Sequence, residues 1–249
     1  MKNTAKISLK VKKMKKEITP SLSRRLEREI TLIGEEKTLK LINASVAVIG
    51  LGGVGGYVCE MLARMGVGRL FLVDCDTVSE SNLNRQIIAL TDTVGRKKTD
   101  VMAERVRAIN PECEVAYEDI FVTKENADAL IDRSGADIII DAIDNVSAKI
   151  ALISASLEKG KYIFSSMGTG NKFNIGGYKI SDISKTSVCG LARAMRRELR
   201  ERGIMHLDVL YSDEQVVQTG QRTPASIAYM PSAAGLMIAE HIFKKITDR

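Results

Sequence analysis

Five of the chain's 19 glycines fall between Gly50 and Gly56, directly after the apolar run Ser45–Ile49. The pattern Gly50-x-Gly52-x-x-Gly55, placed after a strand and at the mouth of a helix, suits a phosphate. Gly50 permits a tight turn, Gly52 with its neighbour Gly53 lets backbone approach an anion, and Gly55 lets the helix pack on the strand. The helix N-terminus adds free N–H groups and positive potential. The next apolar run, Arg69–Val73, ends in Asp74, whose carboxylate can grip ribose hydroxyls 24 positions after Gly50. A redox dinucleotide and ATP both fit this much.

The polar run Asp74-Cys75-Asp76-Thr77-Val78-Ser79-Glu80-Ser81-Asn82-Leu83-Asn84-Arg85-Gln86 separates them. A nicotinamide site has no need for Asn82 and Arg85 just past its ribose-binding strand. A triphosphate does, because its charge must be met by cations and amide donors. Lys98, at the start of the next helical stretch, supplies a second cation.

These residues need a scaffold, and the pattern supplies one. Ser21 and Ser23 precede a charged helical stretch through Glu29, and 39–42 has near-helical spacing. Strands are expected at 45–49, 69–73, 114–117, 137–140 and 162–164, and helices at 54–65, 97–109, 124–131 and about 147–157. Such alternation is that of a Rossmann-like α/β domain, a mostly parallel sheet with helices on both faces. Beyond residue 166, Gly168, Gly170, Gly176 and Gly177 break the pattern. A two-faced helix over 191–202, a strand at 206–211 and a helix over 233–246 then form a smaller C-terminal α+β extension. The division is a basic flexible tail over 1–20 and one domain over 21–249, with a nucleotide-binding core at 21–166 and the extension at 167–249.

Composition excludes several classes. With 249 residues, 45% apolar and 27% charged, the chain is a globular protein with material for a full core. Aromatics are 4%, which argues against a base-stacking platform. Of the formal charge of +6, seven lysines lie within residues 1–16 with no acid among them, so the remaining 30 basic and 31 acidic residues nearly balance. Cys59, Cys75, Cys113 and Cys189 form no C-x-x-C pair, and only His206 and His241 could join them, so no structural zinc is expected. The N-terminus lacks a secretory signal, and residues 224–243 hold two prolines, Glu240 and His241, so a cytoplasmic protein without a membrane span is expected.

GxGGxG, Asp74-x-Asp76-x-Val78-x-x-Ser81-Asn82-x-x-Arg85-Gln86, Val94-Gly95-x-x-Lys98 and Asp141-x-x-Asp144-Asn145 together resemble the E1-like adenylating enzymes, which activate sulfur carriers and ubiquitin. The resemblance implies ATP as ligand, with Asp74 on the ribose, Asp76 beside it, and Asn82, Arg85 and Lys98 on the phosphates. It implies that Asp144 holds Mg²⁺ or orients the α-phosphate, and that Arg85, Lys98 and Asp144 carry the catalysis. It also implies a homodimer in which Arg28, or next Arg25, reaches the partner subunit's nucleotide.

Within that superfamily the chain is similar to the branch that dehydrates threonylcarbamoyladenosine in tRNA. The similarity rests on Arg25-Leu26-x-Arg28, the run from Val94 to Pro111, 140–145, and the arginine helix after Gly168 and Gly170. It departs at Cys189-Gly190, where that branch has Asp-Pro. The branch implies carboxylate adenylation, then ring closure by a nitrogen of the same substituent, which needs no enzyme thiol. Modified tRNA would be the partner, met by Arg193, Arg196, Arg197 and Arg200 and, more weakly, Lys172. A solvated face neutralised by Glu198 and Glu201 is the plainer use of those arginines. The branch also admits a sulfur-relay protein as a further partner. The rival readings are adenylation of a sulfur-carrier or ubiquitin-like C-terminus, with Cys189 the one cysteine placed to transfer it, and a non-catalytic or NAD-dependent nucleotide binder.

Overall fold

The computed structural model describes residues 16–221 and 223–248; residues 1–15, which hold six of the seven tail lysines, lie outside them. Seven strands form one sheet: β1 (Ser45–Ile49), β2 (Arg69–Val73), β3 (Glu114–Glu118), β4 (Ile138–Asp141), β5 (Tyr162–Ser166), β6 (Tyr178–Asp182) and β7 (Asp208–Ser212). Their order is β3-β2-β1-β4-β5-β7-β6, all parallel except β6, which pairs antiparallel with β7. The chain runs outward from β1 to β3, then returns to place β4 on β1's other side. A crevice therefore opens beyond the carboxyl ends of β1 and β4, where open α/β sheets bind ligands.

The strands read as unbroken apolar runs because both faces are covered. Val46, Val48, Leu70, Leu72, Ile138 and Ile140 meet Val58 and Leu62 of α4 (Gly55–Arg64), Met102 and Val106 of α5 (Lys98–Ile109), and Ile238 and Ile242 of α9 (Tyr229–Thr247). Ala47, Ile49, Phe71, Val73 and Ile139 face the other way. They meet Leu130 of α6 (Ala127–Ser134), Leu152 and Ile153 of α7 (Val146–Glu158), and Met195 and Leu199 of α8 (Gly190–Arg200). The C-terminal extension is not a separate layer: β7 enters the sheet beside β5, and α9 packs on α4.

The N-terminal arm is α1 (Pro20–Arg25), α2 (Glu27–Ile33) and α3 (Glu35–Ile42). Residues 16–20, expected in the flexible tail, are bound to the body. Lys16 donates to Gly68 O at 2.7 Å and pairs with Glu114 at 2.9 Å, and Thr19 caps α1. Among the described residues, no helix is long and apolar enough to cross a membrane.

Candidate functional site

Gly50 leaves β1 with φ +92°, and a side chain there would strike Ala142 O at 2.7 Å in the loop after β4. A Cβ on Gly55 would fall 1.8 Å from Gly50 O. Both glycines are therefore required by the fold itself. Gly52 differs: its φ is not left-handed, and a Cβ there would meet nothing nearer than Gln86 Nε2 at 3.8 Å. The protein leaves that space empty, which fits a ligand rather than internal packing.

Asp74 closes one side. Its carboxylate accepts from Leu51 N–H at 2.6 Å and from Asp76 N–H at 2.9 Å, tying the end of β2 to the glycine turn. Lys98, only 5% exposed, donates to Asp76 Oδ2 at 2.7 Å and lies 3.9 Å from Asp74. The hydrogen bond and charge of Lys98 hold the Asp76 carboxyl below its usual range, despite the opposing effect of burial. Asp74, Cys75 and Asp76 bring three ligand atoms within 4.8 Å of one another. The Lys98 ammonium on Asp76 offsets one of the two carboxylate charges, leaving Asp74 as an acceptor suited to a neutral donor such as a ribose hydroxyl.

The polar run folds over the turn. Ser79 and Asn82 cap a short 3-10 turn at Glu80–Asn82, so Asn82 Oδ1 accepts from Ser79 N–H at 3.1 Å. Asn82 Nδ2 has no partner among the described residues. Arg85 anchors one guanidinium nitrogen on Ser81 O and Asn84 Oδ1 at 2.7 and 2.8 Å, while Nε and Nη2 meet no acceptor among the described residues. Asn84 donates to Ser226 O at 3.1 Å, and Pro231 would lie 2.9 Å from a Cβ on Gly53. The C-terminal extension thus borders the crevice.

Beyond β4 the two aspartates of Asp141-x-x-Asp144 divide. Asp141 is wholly buried, pairs with the equally buried Lys149 at 2.9 Å, and accepts from Ser165 at 2.6 Å. Lys149 also donates to Ile143 O and Ser166 O at 3.0 and 2.8 Å, stapling the loops after β4 and β5. Asp144 stands exposed just past Ile143, whose N–H lies 3.1 Å from a Cβ on Gly50. Neither aspartate caps α7; Asn145 does, accepting from Ala148 N–H at 3.0 Å.

Gly50, Gly52, Gly53, Gly55, Asp74, Asp76 and Asp144 thus lie in the segments that follow the carboxyl ends of β1, β2 and β4, with Asn82 and Arg85 on the polar run after β2 and Lys98 held against Asp76. The arginines do not act as a unit. Arg25 is spent on Ile109 O and Asn110, docking α1, whereas Arg28 is exposed with no partner among the described residues. On α8, Arg196 turns inward to Thr186 O at 2.8 Å, correcting the expectation that it faces outward with the others. Arg197 pairs with Glu198 at 3.1 Å, and Arg193 and Arg200 are exposed, with no side-chain partner among the described residues. Helix α8 starts beside the loop after β5, Leu191 Cβ lying 3.9 Å from a Cβ on Gly168. Lys172 is buried, donates to Ser212 O at 3.0 Å, and is pushed below its usual pKa by that burial, so it is not a surface cation. Cys189 is buried at the N-cap of α8. Lys149 is the site-shaping residue that sequence reasoning missed. Its one signal is a lysine in a helix that is otherwise almost entirely uncharged.

Residues 24–249 match the family model described as ThiF family. A tRNA threonylcarbamoyladenosine dehydratase of Bacillus subtilis (strain 168) is 40% identical over 228 residues, covering 84% of this chain and 89% of that one. The structure of E. coli tRNA N6-threonylcarbamoyladenosine dehydratase in complex with ATP aligns with a TM-score of 0.87 at 34% identity, covering 93% and 97%. A sulfur carrier protein adenylyltransferase of Thermus thermophilus is 36% identical over 139 residues, covering 55% of this chain and 51% of that one.

Proposed function

We propose that this chain, which belongs to the ThiF family, uses ATP to dehydrate threonylcarbamoyladenosine in tRNA. The observation that carries the chemistry is the open approach to Gly52, which only the Gln86 amide nears, on a glycine turn tied to the end of β2 through Asp74. The likeness over nearly the whole chain to dehydratases supports the substrate.

The substrate's threonyl carboxylate is a poor electrophile because its charge is delocalised. It attacks the α-phosphorus of ATP, pyrophosphate leaves, and an acyl adenylate results. A nitrogen of the same carbamoyl group then attacks the acyl carbon, AMP leaves with the carboxylate oxygen, the N–H proton passes to solvent, and a five-membered ring closes. Holding both groups on one substituent makes that attack intramolecular. Asp74 orients the ribose, while Arg85, Asn82 and Lys98 meet negative charge as it shifts along the phosphates. Mg²⁺ would add charge neutralisation there. The exposed Asp144 carboxylate suits it, as an oxygen donor bonded to no other described residue.

Arg193, Arg197 and Arg200 are the proposed tRNA contacts on α8, and Arg28 the residue that would reach a second subunit's nucleotide in a homodimer. The same reading admits a sulfur-relay protein as a further partner and implies a cytoplasmic setting, where tRNA is met. Against the sulfur-carrier acceptor stands the shorter match to such an enzyme, about half of each chain. The test is to incubate the protein with ATP and tRNA that does or does not carry the modification, then analyse nucleosides by mass spectrometry. A product lighter by one water, formed only from modified tRNA and ATP, is expected. AMP formation driven by a small protein ending in Gly-Gly, and not by tRNA, would overturn the assignment.

A further inference from the structure

Gln86 lies in the same crevice, yet it has none of the roles described above. It is only 7% exposed, and its amide makes no hydrogen bond among the described residues; Oε1 is enclosed without a partner. The neighbouring backbone locates it. Arg85 O is 3.6 Å from a Cβ on Gly53, Gln86 Nε2 is 3.8 Å from one on Gly52, and Ile87 Cγ2 is 3.2 Å from one on Gly56. The tripeptide therefore crosses the glycine turn with the Gln86 amide over Gly52. Burying an amide unpaired is unfavourable, and methionine would fill a similar volume without that cost. A structural amide would hold something; this one holds no group of the described residues.

We propose that Gln86 contacts the nucleotide's phosphates, Nε2 donating to a phosphate oxygen lodged against Gly52. The assignment rests on the ATP reading above. A neutral amide is the suitable group there: a carboxylate would repel the phosphates, and a second ammonium would compete with Lys98 for Asp74 and Asp76.

The experiment titrates ATP into the parent, Gln86→Met and Gln86→Glu proteins by calorimetry, and measures the ligand-free Tm and the KM for ATP and tRNA. Gln86→Met should melt at or above the parent's temperature, because an unpaired polar group is removed. Its affinity for ATP should fall roughly 10- to 100-fold, the loss of one hydrogen bond to a charged group. Its KM for ATP should rise while its KM for tRNA stays unchanged, and Gln86→Glu should bind ATP more weakly still. A Gln86→Met protein that binds ATP as tightly as the parent overturns the role of Gln86 alone. A parent that binds no ATP brings down the function and this role together, so the two failures are told apart.

Discussion

Replacing Gly52 by alanine adds one methyl group at a position where the ligand-free protein has room for it. The nearest atom would be Gln86 Nε2 at 3.8 Å, an ordinary contact, and the φ of Gly52 is not one that alanine avoids. Folding should therefore be unharmed, with a gain of up to about 1 kcal/mol from the stiffer unfolded chain. The bound state is different. A phosphate oxygen held by backbone N–H groups sits about 2.9 Å from nitrogen, and the methyl would stand where that oxygen must approach. Losing one hydrogen bond to a charged group costs roughly 1.5–3 kcal/mol, which raises the Kd for ATP about 10- to 100-fold. Gly55→Ala makes the contrast, because its methyl would lie 1.8 Å from Gly50 O and the turn itself must break. Calorimetric titration with ATP, alongside thermal melts, reads both quantities. A Gly52→Ala protein that melts like the parent and binds ATP within twofold of it would refute the assignment of that space to a phosphate.

Lys149→Met should leave the buried Asp141 charge uncompensated, at a cost of roughly 3–5 kcal/mol. In a chain of this size that lowers the Tm by about 6–20 °C, whereas Asp144→Ala should leave the melt unchanged and abolish turnover. Burial pushes the Glu29 carboxyl up to about 7. The folded state therefore binds more protons than the unfolded one between about 4.5 and 7, and parent stability should fall as pH rises through that window. Gln at position 29 should flatten that dependence in a pH series of melts; an equal slope in both proteins would contradict it. Arg193→Ala with Arg200→Ala should weaken tRNA binding and make its salt dependence shallower by about 0.7–0.9 per arginine, with ATP affinity unaltered; an unaltered salt slope would remove α8 from the tRNA interface.

The central strands were readable because β1, β2 and β4 are covered on both faces and must be apolar at every position. Gly50, Asp74, Asn82, Arg85 and Lys98 stand out in the sequence as candidates because they cluster in one stretch of chain, which the fold runs past the carboxyl ends of β1 and β2. β6 was not, because an edge strand exposed on one side and preceded by Gly176 and Gly177 carries little apolar signal. Nor could spacing tell Arg196 from Arg193: both lie off the apolar stripe of α8, and only the folded Ile183–Thr186 segment gives Arg196 its carbonyl partners. The division of labour between Asp141 and Asp144 depended on Lys149, whose burial follows from how α7 lies on the sheet.

Crystals grown with a non-hydrolysable ATP analogue would test the site most directly. Electron density should place the phosphates over Gly52, within hydrogen-bonding distance of Lys98, Arg85 and Gln86, with the ribose on Asp74. Density for the triphosphate anywhere else on the protein, with that crevice left to solvent, would contradict the assignment.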